Sequence, residues 1–205
     1  MAEEKIMRHA ALLSGQLQSI RQKMYPPEAQ KSLRRFMTHE VSKLTSISEA
    51  ALRTLSIEGK GPSPARLDNN YRVYTLDQVN ELRRLFAEQK PAEALRFLPY
   101  RRAGEHLQIV AVVNFKGGSA KTTTAAHLSH YLALSGYRVL AIDLDPQASL
   151  SAMFGAQPEM DVGENETIYA ALRYGPERRP MAQIVRETYF PGIDLVPGNI
   201  EVMEY

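Results

Sequence analysis

The sequence predicts an α/β protein: an N-terminal winged helix-turn-helix unit followed by the first part of a P-loop, doubly wound sheet domain. Three observations carry that prediction. Amphipathic helical stretches from Ser32 to Leu55 lead to a basic loop and a strand-like Tyr71–Tyr74; an apolar run at 107–113 enters a Gly-Gly-x-x-Lys-Thr loop; and charge is segregated between the halves. Residues 1–105 carry 18 Lys/Arg and 12 Asp/Glu, net +6, and residues 106–205 carry 7 and 11, net −4, within a chain of only +2. A polyanion meeting the first half accounts for this asymmetry, as does ordinary variation among solvated faces.

Zero cysteine excludes disulfides, thiolate zinc sites, Cys nucleophiles and Cys-held iron–sulfur clusters, and makes a reducing, cytoplasmic compartment the expectation. The longest apolar run, Ile109 to Val113, is far short of the ~20 residues of a membrane span, and no signal-peptide core follows Glu3, Glu4 and Lys5.

In chain order, Ala10 to Met24 reads as a first helix with Leu12, Leu13, Leu17 and Ile20 on one stripe, stopped by Pro26-Pro27; it belongs to an N-terminal segment, 1–30. A second unit, 31–90, opens with Ser32 to Leu44, where Leu33, Phe36, Met37, Val41 and Leu44 fall at helical spacing. After a break at Thr45-Ser46, Ser46 and Glu49 form a capping-box signal for a helix with Ile47, Ala50, Ala51 and Leu55 on its apolar face. Residues 57–64 are rich in Gly and Pro and read as a turn; Thr75 and Gln78 form another capping box, opening a helix with Leu76, Val79, Leu82, Leu85 and Phe86. This order is that of a winged helix-turn-helix. Its second helix offers Ser48, Arg53 and Thr54 to a DNA groove, and its wing offers Lys60, Arg66 and Arg72 to phosphates. Any two short amphipathic helices share the helix-turn-helix pattern. Residues 91–105, with Arg101 and Arg102, read as a linker.

The remaining 106–205 open with Leu107–Val113, a continuous apolar run that suits a strand buried on both faces. The loop Asn114 to Thr124 follows, then a helix with Leu128, Leu132 and Leu134 ending at Gly136, then a strand at Val139–Ile142, which closes a βαβ unit before Asp143-Leu144-Asp145. Glycines let backbone N–H groups turn around an anion, and a helix N-terminus adds its dipole at the same point. Gly117, Gly118, Ser119, Ala120, Lys121, Thr122 and Thr123 are therefore candidates to hold nucleotide phosphates, Lys121 on the β/γ-phosphates and Thr122 on Mg²⁺. Residues 155–191 carry no functional signal, and Tyr169, Tyr174 and Tyr189 read there as packing residues.

The usual G-x-x-x-x-G-K-[ST] pattern is broken by Phe115 and Ala120. The remaining Lys-Gly-Gly-x-x-Lys-Thr resembles the deviant Walker A loop of the ParA/MinD group of ATPases, and Asp143-Leu144-Asp145-Pro146-Gln147 matches the same group. With Asn114–Ser119, Ala141–Ser151 and Ile193–Asn199, the whole chain resembles the RepA branch of ParA-type partition ATPases of repABC plasmids in alphaproteobacteria. The resemblance implies a plasmid-partitioning protein that binds ATP and Mg²⁺ and works as a homodimer, with Lys116 reaching the phosphates held by its partner. It implies that Asp145 positions the attacking water and Asp143 supports the Mg²⁺ through water. It further implies autorepression through operator DNA, nonspecific DNA binding in the ATP state, stimulation by a ParB-type (RepB) partner, a nucleoid- or plasmid-associated location and no membrane contact.

The sequence departs from that family in length. Members run to about twice this size, and no later apolar strand ending in Asp-x-Pro-Pro is present, so the chain reads as C-terminally shortened. Weak nucleotide binding, poor hydrolysis and an unpaired sheet edge are expected. The alternative reading is a DNA-binding autorepressor with a vestigial, non-hydrolysing nucleotide site.

Overall fold

A computed structural model describes residues 2–24, 31–99, 101 and 103–204 of the chain. Pro26-Pro27 and Arg102, invoked above, lie outside the described residues. Contacts divide the chain into two units at Lys31. The first is helix α1, Ala2–Met24, which begins eight residues earlier than the apolar stripe predicts; Leu12, Leu13, Leu17 and Ile20 are all exposed on it.

The second unit opens with β1 (Phe36–Met37), α2 (Thr38–Thr45), α3 (Glu49–Glu58), β2 (Ala65–Arg66), β3 (Arg72–Tyr74) and α4 (Leu76–Gln89). The three strands form an antiparallel sheet in the order β1-β3-β2, with Phe36 opposite Tyr74 and Arg66 opposite Arg72. The expectation of one helix over Ser32–Leu44 is corrected here. Phe36 and Met37 share the helical stripe, yet they pair with β3, and α2 starts only where the Glu40 carboxylate accepts the Met37 N–H at 2.8 Å. Glu40 also takes both guanidinium nitrogens of Arg34, at 3.0 and 2.7 Å, and these bonds hold its carboxyl down to about 2.

The second predicted cap is corrected as well. Ser46 sits in the left-handed region, φ 58, as the C-cap of α2, and Ser48 is the N-cap of α3, accepting the Ala51 N–H at 3.3 Å. α3 runs through Ile57 and Glu58 before Gly59 ends it, two residues into the stretch read as non-helical. The Thr75–Gln78 capping box is present in both directions, at 3.0 and 3.3 Å. The segment read as linker is partly folded: a turn at Pro91–Glu93 and α5 (Ala94–Phe97) bring the buried Phe97 within 5.5 Å of Phe86, centroid to centroid.

The remainder comprises α6 (Lys121–Leu134), β4 (Val139–Ile142), α7 (Ser149–Met153), α8 (Pro158–Asp161), α9 (Ile168–Leu172), β5 (Arg186–Glu187) and β6 (Ile193–Val196), with short 3-10 turns at 181–183 and 200–204. β4 and β6 pair in parallel, Val139 opposite Ile193 through Ile142 opposite Val196, and β5 adds antiparallel to the other side of β6. The buried strand predicted at 107–113 is not formed: Leu107, Ile109, Val110 and Val113 are 66–85% exposed and pair with no strand among the described residues. The βαβ unit it would open is absent for the same reason. An apolar run signals a demand for burial; meeting it takes a neighbouring strand, and among the described residues the sheet stops at β4. β4 lies at the sheet edge, with Leu140 and Ile142 substantially exposed.

One apolar core joins α2, α3 and α4 to α6, β4 and β6, with Val41, Leu52, Val79 and Leu82 in the same cluster as Ala126, Ala133, Ile193 and Leu195. Ile168, Ala171, Ile184 and Val196 form a smaller second cluster. Tyr189 packs against the main core and Tyr169 lies under the Arg173 guanidinium, but Tyr174 is fully exposed and is no packing residue.

Candidate functional site

The loop before α6 is shaped by its own side chains. Asn114 Oδ1 accepts the Lys116 N–H at 2.8 Å, turning the chain ahead of the glycines. Gly118 has φ +71, and Ala120 follows at φ 60, ψ 23, so two left-handed residues within three positions bend the backbone into the helix. For Ala120 this conformation is strained, by about 1–2 kcal/mol. A Cβ built on Gly117 or Gly118 meets no atom within 4 Å; both face open space.

α6 begins without the usual aids. Ala120 has no side-chain oxygen to cap it, and the first turn holds no acidic residue. The first N–H groups of a helix have no intrahelical acceptor, and the helix dipole places partial positive charge there. Lys121 stands in this first turn with its Nζ 3.4 Å from Lys116 O, drawing the two lysine positions together. Ser119 Oγ is buried with no hydrogen-bond partner. Uncapped N–H groups, an orphaned hydroxyl, two cations and open space are what a phosphate group fits. Thr122 and Thr123 follow in the same turn; Thr122 is half-buried and Thr123 exposed.

The acidic residues stand at the C-terminal end of β4. Asp143, 3% exposed, accepts the Ser151 N–H at 2.8 Å and the Ser151 hydroxyl at 2.7 Å on Oδ2, and the Asp145 N–H at 3.2 Å on Oδ1. Ser151 Oγ accepts the Gly198 N–H at 2.9 Å, joining β4, α7 and the turn after β6. A Cβ on Gly198 would lie 3.0 Å from the carbonyls of both Asp143 and Asp145. Asp145 is half-buried, its Oδ1 accepting the Gln147 N–H at 3.0 Å. The structure therefore brings Asp143 and Asp145 together, and α6 packs on both β4 and α7. Asp143 is engaged chiefly by the protein. Among the described residues no cluster of three or more His, Asp or Glu forms a metal cage. Mg²⁺ beside a nucleotide is commonly held by one or two protein oxygens, phosphates and water, a donor set that Thr122 and the strand-end carboxylates can supply.

Of the six DNA candidates, Arg53 and Thr54 are exposed on α3, and Ser48 is occupied as its cap. Lys60 pairs with Glu58 at 2.8 Å, Arg66 donates to Asn70 Oδ1 at 2.7 Å, and Arg72 donates to Ser56 Oγ at 3.1 Å. Arg66 and Arg72 stand directly opposite each other across β2 and β3. Sequence reading missed Asn114, whose signal is its place before the loop. It also missed Ser151, eight residues from its acceptor, and the buried Arg83 on α4, for which local sequence carries no signal.

A profile of the AAA domain family matches residues 107–205. A protein of Sinorhizobium fredii, provisionally named replication protein A, is 47% identical over 203 residues, covering 99% of this chain and 49% of that protein. Protein SopA of Escherichia coli K12 is 30% identical over 177 residues, covering 84% of this chain and 43% of SopA. A solved structure titled "Partition Protein" covers 99% of this chain and 53% of its own, at 23% identity and a TM-score of 0.49. The chain spans about half the length of the curated relatives it matches.

Proposed function

The chain belongs to the ParA-type plasmid partition ATPases, and we propose that it binds ATP at residues 116–123 and DNA through α3 and the β2–β3 hairpin, in the service of plasmid segregation. The observation that carries the reading is the uncapped N-terminus of α6 beside the orphaned Ser119 hydroxyl and two lysines. Lys121 and the backbone N–H groups of 117–122 hold the phosphates, and the Thr122 hydroxyl serves the metal. Mg²⁺, when bound, offsets charge on the phosphate oxygens. Asp145, fixed by the Gln147 N–H, orients water, while Asp143 keeps the strand end in place through Ser151. Lys116 is exposed at the mouth of the loop, where a second copy of the chain can meet it in a homodimer.

The first half, within the bounds 31–90 read from the sequence, acts as a winged helix-turn-helix on operator DNA and represses its own operon. Arg66 opposite Arg72 supports this, because like charges directly opposed on a hairpin cost stability that a phosphate contact recovers. Nonspecific DNA and a ParB-type partner complete the partition cycle. No helix among the described residues is long and apolar enough to cross a membrane.

A second reading, a DNA-binding autorepressor with a non-hydrolysing nucleotide site, is favoured by one observation. Leu107, Ile109, Val110 and Val113, which lead into the loop, are exposed, and 107–113 pairs with no strand among the described residues, so the loop is anchored chiefly on its α6 side. Operator binding measured with MgATP, with MgADP and with Lys121→Ala separates the two. Nucleotide-dependent affinity that Lys121→Ala abolishes supports the partition ATPase; identical affinity in all three arms supports the repressor. Absence of a steep salt dependence would argue against DNA binding altogether.

A further inference from the structure

Arg83 lies on α4 and is 1% exposed, with no ion-pair partner among the described residues. A buried cation without a carboxylate costs several kcal/mol, and an apolar side chain of similar size would serve packing better. What compensates Arg83 is a set of neutral acceptors. Its Nη1 donates to Asn80 Oδ1 at 2.7 Å, and its Nη2 donates both to Leu44 O at 2.9 Å and to Leu134 O at 2.5 Å. Leu44 is in the last turn of α2, directly ahead of the 45–48 turn that presents α3. Leu134 is the last residue of α6, the helix whose other end carries Lys121. Two helix C-termini, each with partial negative charge, thus share one nitrogen of one guanidinium. Gly136, at φ +96, lets the chain pass close beside it: a Cβ there would lie 3.1 Å from Arg83 Nε.

We propose that Arg83 is a positioning residue coupling the phosphate end of α6 to the turn before α3, so that nucleotide occupancy alters how α3 is presented to DNA. The proposal rests on the reading of residues 116–123 as a nucleotide site. α6 is a 14-residue helix, stiff over ~20 Å, and a shift along its axis changes the bond at Leu134 O. Because one rigid, planar guanidinium serves both carbonyls, a displacement of Leu134 O that draws the fork with it also alters the bond to Leu44 O. A residue that merely held the core together would leave the response of residues 44–52 to nucleotide no larger than the general protection that ligand binding gives the folded chain.

Hydrogen–deuterium exchange of the 205-residue chain, with and without saturating MgATP, tests this at residues 44–52, with nucleotide affinity measured in parallel. Exchange there should change about fivefold or more in the wild-type chain, the lower range of typical coupling between sites. Arg83→Lys, which keeps the charge but loses the fork, should lower the response below about twofold while nucleotide still binds. Asn80→Ala, which leaves Arg83 in place and removes only one acceptor, should reduce the response partially and guards against a folding failure of the first variant. An unchanged response in both variants overturns the proposal, as does a wild-type chain that binds MgATP without any response at 44–52. If MgATP does not bind the wild-type chain at all, the nucleotide reading fails first and this proposal falls with it.

Discussion

Asp143 and Ser151 are joined twice, through the Ser151 N–H at 2.8 Å and the Ser151 hydroxyl at 2.7 Å, both to the same buried carboxylate oxygen. The pair fixes the start of α7 to the end of β4 and, through Gly198, to the turn after β6. Ser151→Ala should cost about 1–3 kcal/mol, since it leaves a buried carboxylate short of a donor. Urea denaturation checks this, and a loss under ~0.5 kcal/mol would show that the hydroxyl carries nothing.

Ala120 is held at φ 60, in a region that glycine enters without penalty. Ala120→Gly should therefore stabilise the chain by about 1 kcal/mol, offset in part by the greater freedom of glycine when unfolded. Chemical denaturation of the two proteins makes the comparison. A destabilised variant would mean that the loop backbone is not left-handed at this position.

His130, on α6, has Nε2 buried without a partner between the rings of Phe190 and Phe154, 4.6 and 5.3 Å away. Burial first, and His127 second, hold its imidazole below the ordinary histidine range. The unfolded chain consequently takes up the proton before the folded one as pH falls. The contribution of neutral His130 is fully present above the unfolded pKa, roughly 6.5, and is lost on acidification through the folded value. Stability measured from pH 7 to 5 should fall by up to about 1.4 kcal/mol per pH unit from this one group, and His130→Leu should remove that part of the slope.

Much of the candidate site was legible because its chemistry is local. The glycines, Lys121, Thr122 and the paired aspartates are consecutive or nearly so, and the helix and strand that follow the loop, α6 and β4, form at the positions their apolar pattern gives. Capping is local too, and Thr75 with Gln78 needs only three residues. Long-range pairing was not legible. Phe36 and Met37 fit a helical stripe until Val73 and Tyr74 pair with them, and 107–113 has the composition of a central strand but, among the described residues, no strand beside it. Arg83 shows the same limit, since its acceptors lie 39 and 51 residues away.

The central claim is that residues 116–123 hold the phosphates of ATP. Titration of a fluorescent ATP analogue with Mg²⁺ into the wild-type chain and Lys121→Ala tests it most directly. The wild type should bind, and Lys121→Ala should weaken binding at least about tenfold, as the loss of a charge-assisted contact to phosphate requires, with its melting temperature unchanged. Equal affinity of the two proteins, or no binding by the wild type at millimolar analogue, would contradict it.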